Sequence, residues 1–381
     1  MSSYCDIAII GGGPVGAALA LALRDSGLHI QLLEARKAEH VADPRALALS
    51  YGSRLLLERL GVWKKLTQVT PIKFIHISQK NSFGRTLLRA DEIQVPELGY
   101  VLPYSALQTT LQEAVQTGRL NDAQVIHLQS MAEGATIIYQ HAGKSCTLHT
   151  RLAVVADGGK LLETAYPPEV RDYGQSAVIT HVTCTQPRPD TAFERFTAQG
   201  LVALLPYHAG YELVWTVEHA AAQEMLHWSD TVFLAQLHQH FGDRVGQFLT
   251  LGKRVCFPLR LKRAPHITLP HTVLLGNAAQ TLHPVAGQGF NMGLRDACEL
   301  AQEITYCAAG ELGDEPMLAA YRQRRWLDRN AGIRFTDTLA RLFTLKLPLL
   351  NSGRGAALSL VDCVPGAKTF VAKRMMFGSN G

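Results

Sequence analysis

The sequence predicts an α/β protein: a parallel βαβ sheet, a mainly antiparallel-sheet domain inserted into it, and a helical C-terminus. Three observations carry that prediction. The apolar run Ile7-Ala8-Ile9-Ile10 leads through Gly11-Gly12-Gly13-Pro14-Val15-Gly16 into an alanine- and leucine-rich helix, the order of a Rossmann-like dinucleotide-binding unit. Residues 170–270 alternate apolar and polar as antiparallel strands do, for instance over 176–182 and 211–217. The apolar run 272–275 is followed by Gly287-Gln288-Gly289 and then by Leu294, Ala297, Leu300 and Ala301 at helical spacing, a second strand, loop and helix.

Taken in order, the first glycine loop lets backbone approach a pyrophosphate, and the helix behind it supplies unpaired N–H groups and a partial positive charge. Gly11, Gly13, Pro14 and Gly16 are therefore candidate cofactor contacts. The next strand, 30–33, ends in Glu34, at about the 20-residue distance where a ribose-binding carboxylate belongs, and Arg36 stands beside it. FAD and NAD share this fingerprint, and a plain βαβ turn carries the same glycines. Arg45 follows in Asp43-Pro44-Arg45-Ala46-Leu47-Ala48-Leu49-Ser50, read as leading into a helix; on its own it fits a solvated surface. Residues 73–99 turn β-like, a helix over 104–117 carries Gln108, and the strand 153–156 ends in Asp157-Gly158. Gln108 alone reads equally well as an exposed helix glutamine. Gly174-Gln175-Ser176-Ala177-Val178 lacks the last glycine of a nucleophile elbow, so a serine hydrolase is not supported. The arginines of Tyr321-Arg322-Gln323-Arg324-Arg325 read as a solvated helix face.

A chain of 381 residues with 47% hydrophobic and 18% charged content holds one large or two ordinary folded domains. Its seven cysteines are scattered singly with no Cys-x-x-Cys pair, which suggests neither a zinc site nor a disulfide framework and points to a reducing cytoplasm. No apolar run reaches the roughly 18 to 20 residues of a spanning helix, and Gly11 cuts short the N-terminal one, so export is not expected. The net charge of +5 equals that of the stretch 341–381 alone, where six basic residues face Asp362. With Leu342, Phe343, Leu345, Phe370, Met375, Met376 and Phe377, this tail suits an anionic membrane surface, a partner protein, or the core beneath the last helices. No nucleic-acid module accompanies the charge, and His238-Gln239-His240 is too little for a metal site.

The stretch Gly276-Asn277-Ala278-Ala279-Gln280-Thr281-Leu282-His283-Pro284, continuing through Gly287-Gln288-Gly289-Phe290-Asn291 to Gly293 and Asp296, closely resembles the second flavin-binding motif of the aromatic-ring flavoprotein monooxygenases. That motif begins Gly-Asp-Ala-Ala-His. Asn277 and Gln280 stand for its Asp and His, and with Thr281-Leu282-His283-Pro284 they resemble the 2-octaprenyl-6-methoxyphenol hydroxylase branch of ubiquinone biosynthesis. Ala192-Phe193-Glu194-Arg195-Phe196-Thr197 is similar to substrate-domain strands of the same branch. The Ser and Arg of the family's middle motif are absent after Asp157-Gly158.

The resemblance implies a p-hydroxybenzoate hydroxylase-type fold with FAD as cofactor. Residues 1–72, 100–169 and 270–340 would form the FAD-binding domain, 73–99 and 170–269 the substrate domain, and 341–381 a basic, apolar helical tail. Cofactor contacts are implied for Arg45, Gln108, Asp157, Asn277, Pro284, Gly287, Gln288, Gly289, Phe290 and Asn291, with 287–289 toward the N1/O2 edge of the flavin ring. The implied chemistry is ring hydroxylation of a polyprenylated methoxyphenol through a flavin C4a-hydroperoxide, with O2 and NAD(P)H or another electron donor. No catalytic side chain is assigned; His283 reads as a proton shuttle or, more simply, as a structural histidine ahead of Pro284. Two other readings stay open, a hydroxylase of a soluble phenol and a flavin-binding subunit of a biosynthetic complex without turnover. A polyprenyl substrate places the protein in the cytoplasm or at the inner face of the membrane.

Overall fold

The computed structural model describes residues 2–37, 43, 45–82, 84–116, 118–197, 199–282, 287–308, 310–344 and 364–378. Ser2–Ile10 is the central strand of the first sheet, pairing in parallel with Ile30–Leu33 on one side and Lys144–Val155 on the other. Thr272–Leu274 and Arg119–Leu120 extend the parallel ladder outward. Helix Pro14–Ala22 covers one face, and Ile7, Ala8 and Ile9 are wholly buried. A strand buried on both faces cannot alternate, which is why it reads as an unbroken apolar run. In register, Ile10, Leu33, Val155 and Leu274 end together. The loops that follow them therefore gather on one edge of the sheet, where open α/β sheets bind ligands.

The stretches 74–89 and 169–263, with the short strand Gln280–Thr281, form a nine-stranded, largely antiparallel sheet, joined by the parallel pair Phe74–Gln79 and Thr191–Thr197. Its pleat separates two environments. Phe193 faces helices His219–His227 and Asp230–Phe241, packing edge-on against Tyr211 and Phe241 with centroids 6.0 and 5.5 Å away. Ala192 and Glu194 face the other way, toward the parallel sheet.

Local pattern and final structure differ in several places. Arg45 leads into a strand, not a helix: Ala46–Ser50 pairs with Gly99–Pro103, and only then does Ser50 cap helix Tyr51–Arg59 by accepting from Ser53 N at 3.2 Å. A short Ala/Leu run fits either period, and the partner strand decides. The helix expected over 104–117 spans Tyr104–Ala114. The arginine-rich segment is not uniformly solvated. On helix Glu315–Thr344, Arg322 and Arg324 pair outward with Glu315 and Glu303, whereas Arg325 is 1% exposed among Asp296, Glu299 and Asp328.

The C-terminal helix Pro365–Phe377 buries Ala372 and Met376 against Leu88, Ala90, Ile93 and Leu98, and Lys368 Nζ lies 2.7 Å from Glu92 Oε2. Part of the tail's apolar content is thus core, while Phe370 is 61% exposed. Residues 345–363, with Leu345, Lys346, Arg354 and Asp362, lie outside the described residues. Among the described residues no helix is long and apolar enough to cross a membrane, and no cluster of metal-binding side chains occurs.

Candidate active site

A cavity of about 1100 Å³ lies where the gathered loops meet the second sheet, larger than the ~300–1,000 Å³ of an ordinary small-molecule site. One part is lined by Gly11, Gly13, Pro14, Glu34, Arg36, Arg45, Asp157 and Asn277, the other by apolar side chains of the second sheet and by Met375 and Met376 of the C-terminal helix. Helices Pro14–Ala22 and Gln288–Tyr306 both begin at this cavity, from Gly13 and Gly287, and neither start is capped by a side chain. Each directs free first-turn N–H groups and the positive end of its dipole into the space. That suits a phosphate at one start and an electron-accepting ring edge at the other. Gly287 holds φ at +59°, the left-handed conformation that turns loop into helix.

The anticipated contacts divide into three groups. Glu34 lines the cavity and is itself held: Oε2 accepts from Gly12 N at 2.8 Å, and Oε1 from Arg36 N and Nε at 2.9 and 3.0 Å. Burial opposes its ionisation, but the bonds from Arg36 and Gly12 outweigh burial and hold the carboxyl below its ordinary value. Arg45 is fixed by Asp43, with Nη2 to Oδ2 at 2.5 Å, and lies between the rings of Tyr104 and Phe257, 5.5 and 4.9 Å from their centroids. Asp157 turns back on its own loop, accepting from Gly159 N and Leu161 N at 2.8 Å each.

Asn291, Gln288 and Phe290 frame the cavity. The Asn291 amide is fully committed: Oδ1 accepts from Ser50 N and Ser53 Oγ, and Nδ2 donates to Ala48 O and Gly287 O. It ties the helix start to the strand and helix opposite. Gln288 Nε2 donates to Met375 O at 3.1 Å and so fastens the C-terminal helix to the same edge.

Gly16 and Gln108 are not at the cavity wall. A Cβ on Gly16 would lie 2.0 Å from Gly11 O, so its bareness seats the helix against the loop. Gln108 is buried on its helix, its Oε1 without a hydrogen-bond partner among the described residues. His283 and Pro284 lie outside the described residues. Sequence reasoning missed Asp43, Tyr104 and Phe257 as the cradle of Arg45, Asp296 as the acceptor for Gly276 N and Gln280 Nε2, and Glu194 in the apolar wall. For Asp43, Glu194 and Asp296 the signal was present, since all three stand inside the quoted motifs.

Two uncapped helix starts on one cavity, an open channel at Gly13 and Gly289 where an added Cβ meets nothing within 4 Å, and an antiparallel sheet above them fit a flavoprotein of the hydroxylase class. The chain belongs to the FAD-binding domain family, whose model matches residues 4–335. FAD is its cofactor, and it is an FAD-dependent monooxygenase of the aromatic hydroxylase type. It is 29% identical to the ubiquinone hydroxylase UbiL of Rhodospirillum rubrum over 97% of this chain and 89% of that protein. It is also 29% identical to the 3-demethoxyubiquinol 3-hydroxylase of Escherichia coli, over 94% of each. The solved p-nitrophenol 4-monooxygenase PnpA of Pseudomonas putida shares the fold over 100% of both chains, with a TM-score of 0.81 at 14% identity.

Proposed function

We propose that this chain hydroxylates the ring of a polyprenylated methoxyphenol in ubiquinone biosynthesis, using O2 and a reduced nicotinamide donor. The observation that carries this reading is the composition of the cavity's second half: Ile75, Ile179, Leu201, Leu205, Val214 and Met376 line it, and the second sheet contributes no lysine or arginine to its described lining. A soluble carboxylated phenol would want a cation there; a prenyl chain wants what is present. The hydroxylase names of the relatives support the same choice.

In this reading Gly11, Gly13, Pro14, Glu34 and Arg36 hold the adenosine and pyrophosphate half of FAD, and Arg45, Asp157 and Asn277 the ribityl side. Backbone N–H groups at 287–289 face the ring edge where charge gathers on reduction. Bound FAD supplies electron transfer and oxygen activation; the protein orients the phenol and keeps water out. Oxygen-dependent hydroxylation by the purified protein tests it. At about 0.8 kcal/mol per buried methylene, the roughly five carbons of one isoprene unit are expected to raise kcat/KM on the order of 1,000-fold over the bare phenol. Equal turnover of the two would remove the prenyl assignment, and tight FAD binding without turnover of either would favour the non-catalytic subunit.

A prenylated substrate also calls for a membrane surface, and we infer a weak, reversible, salt-sensitive attachment through the tail, where Phe370 and Lys373 are exposed. Basic residues near anionic lipid are worth roughly 1 kcal/mol each. The full chain is expected to float with anionic liposomes at low salt and to release at high salt, and neutral replacements of Lys373 and Arg374 should weaken flotation. Equal, salt-insensitive behaviour of both proteins contradicts this.

A further inference from the structure

We propose that Glu194 is the catalytic residue that orients the substrate's phenolic hydroxyl and takes its proton, an assignment that rests on reading the cavity as a phenol site. Glu194 lies mid-strand in Thr191–Thr197, opposite Ala203 on one neighbour and Ile77 on the other, and its side chain lines the cavity. Around it the wall is Ile75, Ala192, Leu201, Ala203 and Val214. Among the described residues its carboxyl has no hydrogen bond and no ion pair. The next residue, Arg195, cannot neutralise it, because the pleat sends that guanidinium to the opposite face, where it donates to His240 O and Ser78 Oγ. A carboxyl set alone in an apolar wall costs stability unless something in the cavity makes use of it.

With burial the only influence on it, the Glu194 carboxyl is pushed up to about 7. That brings it closer to a phenol, ordinarily about 10, than a solvated glutamate stands. Other titratable groups on this face of the sheet include Glu212, engaged by Ala46 N at 3.3 Å, His181 across from it, Tyr207 with its ring against His181, and Glu218 at the end of the same strand as Glu212. Glu34, Arg36, Arg45, Tyr104, Asp157 and Lys160 line the cavity from the parallel-sheet domain. Among the described residues of the C-terminal helix, Ala372, Met375 and Met376 reach it, Lys368 being paired with Glu92 and Arg374 with Gly378 O.

In the step itself the phenolic O–H bond breaks, its proton goes to a Glu194 oxygen, and the electron pair stays on the phenolate, which enriches the ring for attack by an electrophilic oxygen. The carboxyl gives the proton back as the product regains its hydroxyl. The test uses FAD-loaded enzyme and a short-chain prenylated methoxyphenol. Wild type is expected to lose hydroxylation rate as pH falls through the ionisation of Glu194, read from the pH profile. Glu194→Gln should keep its FAD, lose that limb of the profile, and hydroxylate about 100- to 10,000-fold more slowly. Glu194→Asp should recover part of the rate with a displaced pH profile. Wild-type rate and pH profile in Glu194→Gln overturn the assignment and leave the phenol reading standing. A wild-type enzyme that neither binds nor hydroxylates the probe overturns both. If Glu194→Gln fails to load FAD, the Glu194→Asp profile decides, and an unshifted one is negative.

Discussion

Replacing Gly13 or Gly289 with leucine is expected to yield a folded protein that has lost its flavin. At both positions an added Cβ meets nothing within 4 Å, and both line the cavity, so the new side chain starts in open space on the ligand's side. Gly13 has extended backbone, φ −67° and ψ 177°, which any residue adopts. Gly289 sits in the first turn of its helix, where leucine is favoured over glycine by about 0.8 kcal/mol. FAD occupancy after purification should fall at least tenfold, equivalent to about 1.4 kcal/mol or more of lost binding. Loss of a bound ligand lowers Tm by itself, so stability must be compared between apo forms; there the Gly289 variant is expected to be no weaker than wild type. Full flavin content with an unchanged spectrum in both variants would refute the placement of FAD against these two turns.

The second large effect is expected far from the ligand. Arg325→Met should destabilise the protein by about 3–5 kcal/mol, the cost of leaving buried charge uncompensated. Its guanidinium reaches three carboxylates, Asp296 at 2.5 Å and Glu299 and Asp328 at 2.9 Å each, and Arg295 adds a bond to Asp328 at 2.8 Å. Asp296 in turn accepts from Gly276 N at 3.2 Å and Gln280 Nε2 at 2.8 Å, so the cluster braces the loop that precedes the second helix start. Burial alone would raise Asp328, but Arg295 and Arg325 hold it below its ordinary value of 3.8. A depressed carboxyl contributes stability that is complete above its unfolded value and lost as pH falls through its folded value. The Asp328 contribution to wild-type stability should therefore be lost only in acid. In Arg325→Met the carboxylates left without their cation are costly while ionised, so the gap to wild type is widest near neutrality and narrows as they take up protons. A gap that stays constant from neutral pH into acid would show that packing, not charge, is what Arg325 supplies.

Much of this protein was determined by local sequence. Strand, glycine loop and helix at 7–25, and again from 272 into the helix Gln288–Tyr306, are legible because each element's conformation depends on neighbours a few residues away: a buried parallel strand needs an unbroken apolar run, and a left-handed residue such as Gly287 needs to be glycine. The cofactor followed from those two loops together. What the tertiary structure alone decided concerns side chains whose surroundings come from distant parts of the chain. Arg325 looks in sequence like its solvated neighbours Arg322 and Arg324, and only the crossing of two helices turns it onto Asp296 and Glu299, beside the local partner Asp328 three residues on. Glu194 looks like the polar member of an alternating strand, which ordinarily faces water; here the second sheet is covered on both faces, by helices on one and by the cavity on the other, so the polar position points inward. Alternation tells which residues share a face of a strand, but what lies over that face is set by chain a hundred residues away, and no local pattern encodes it.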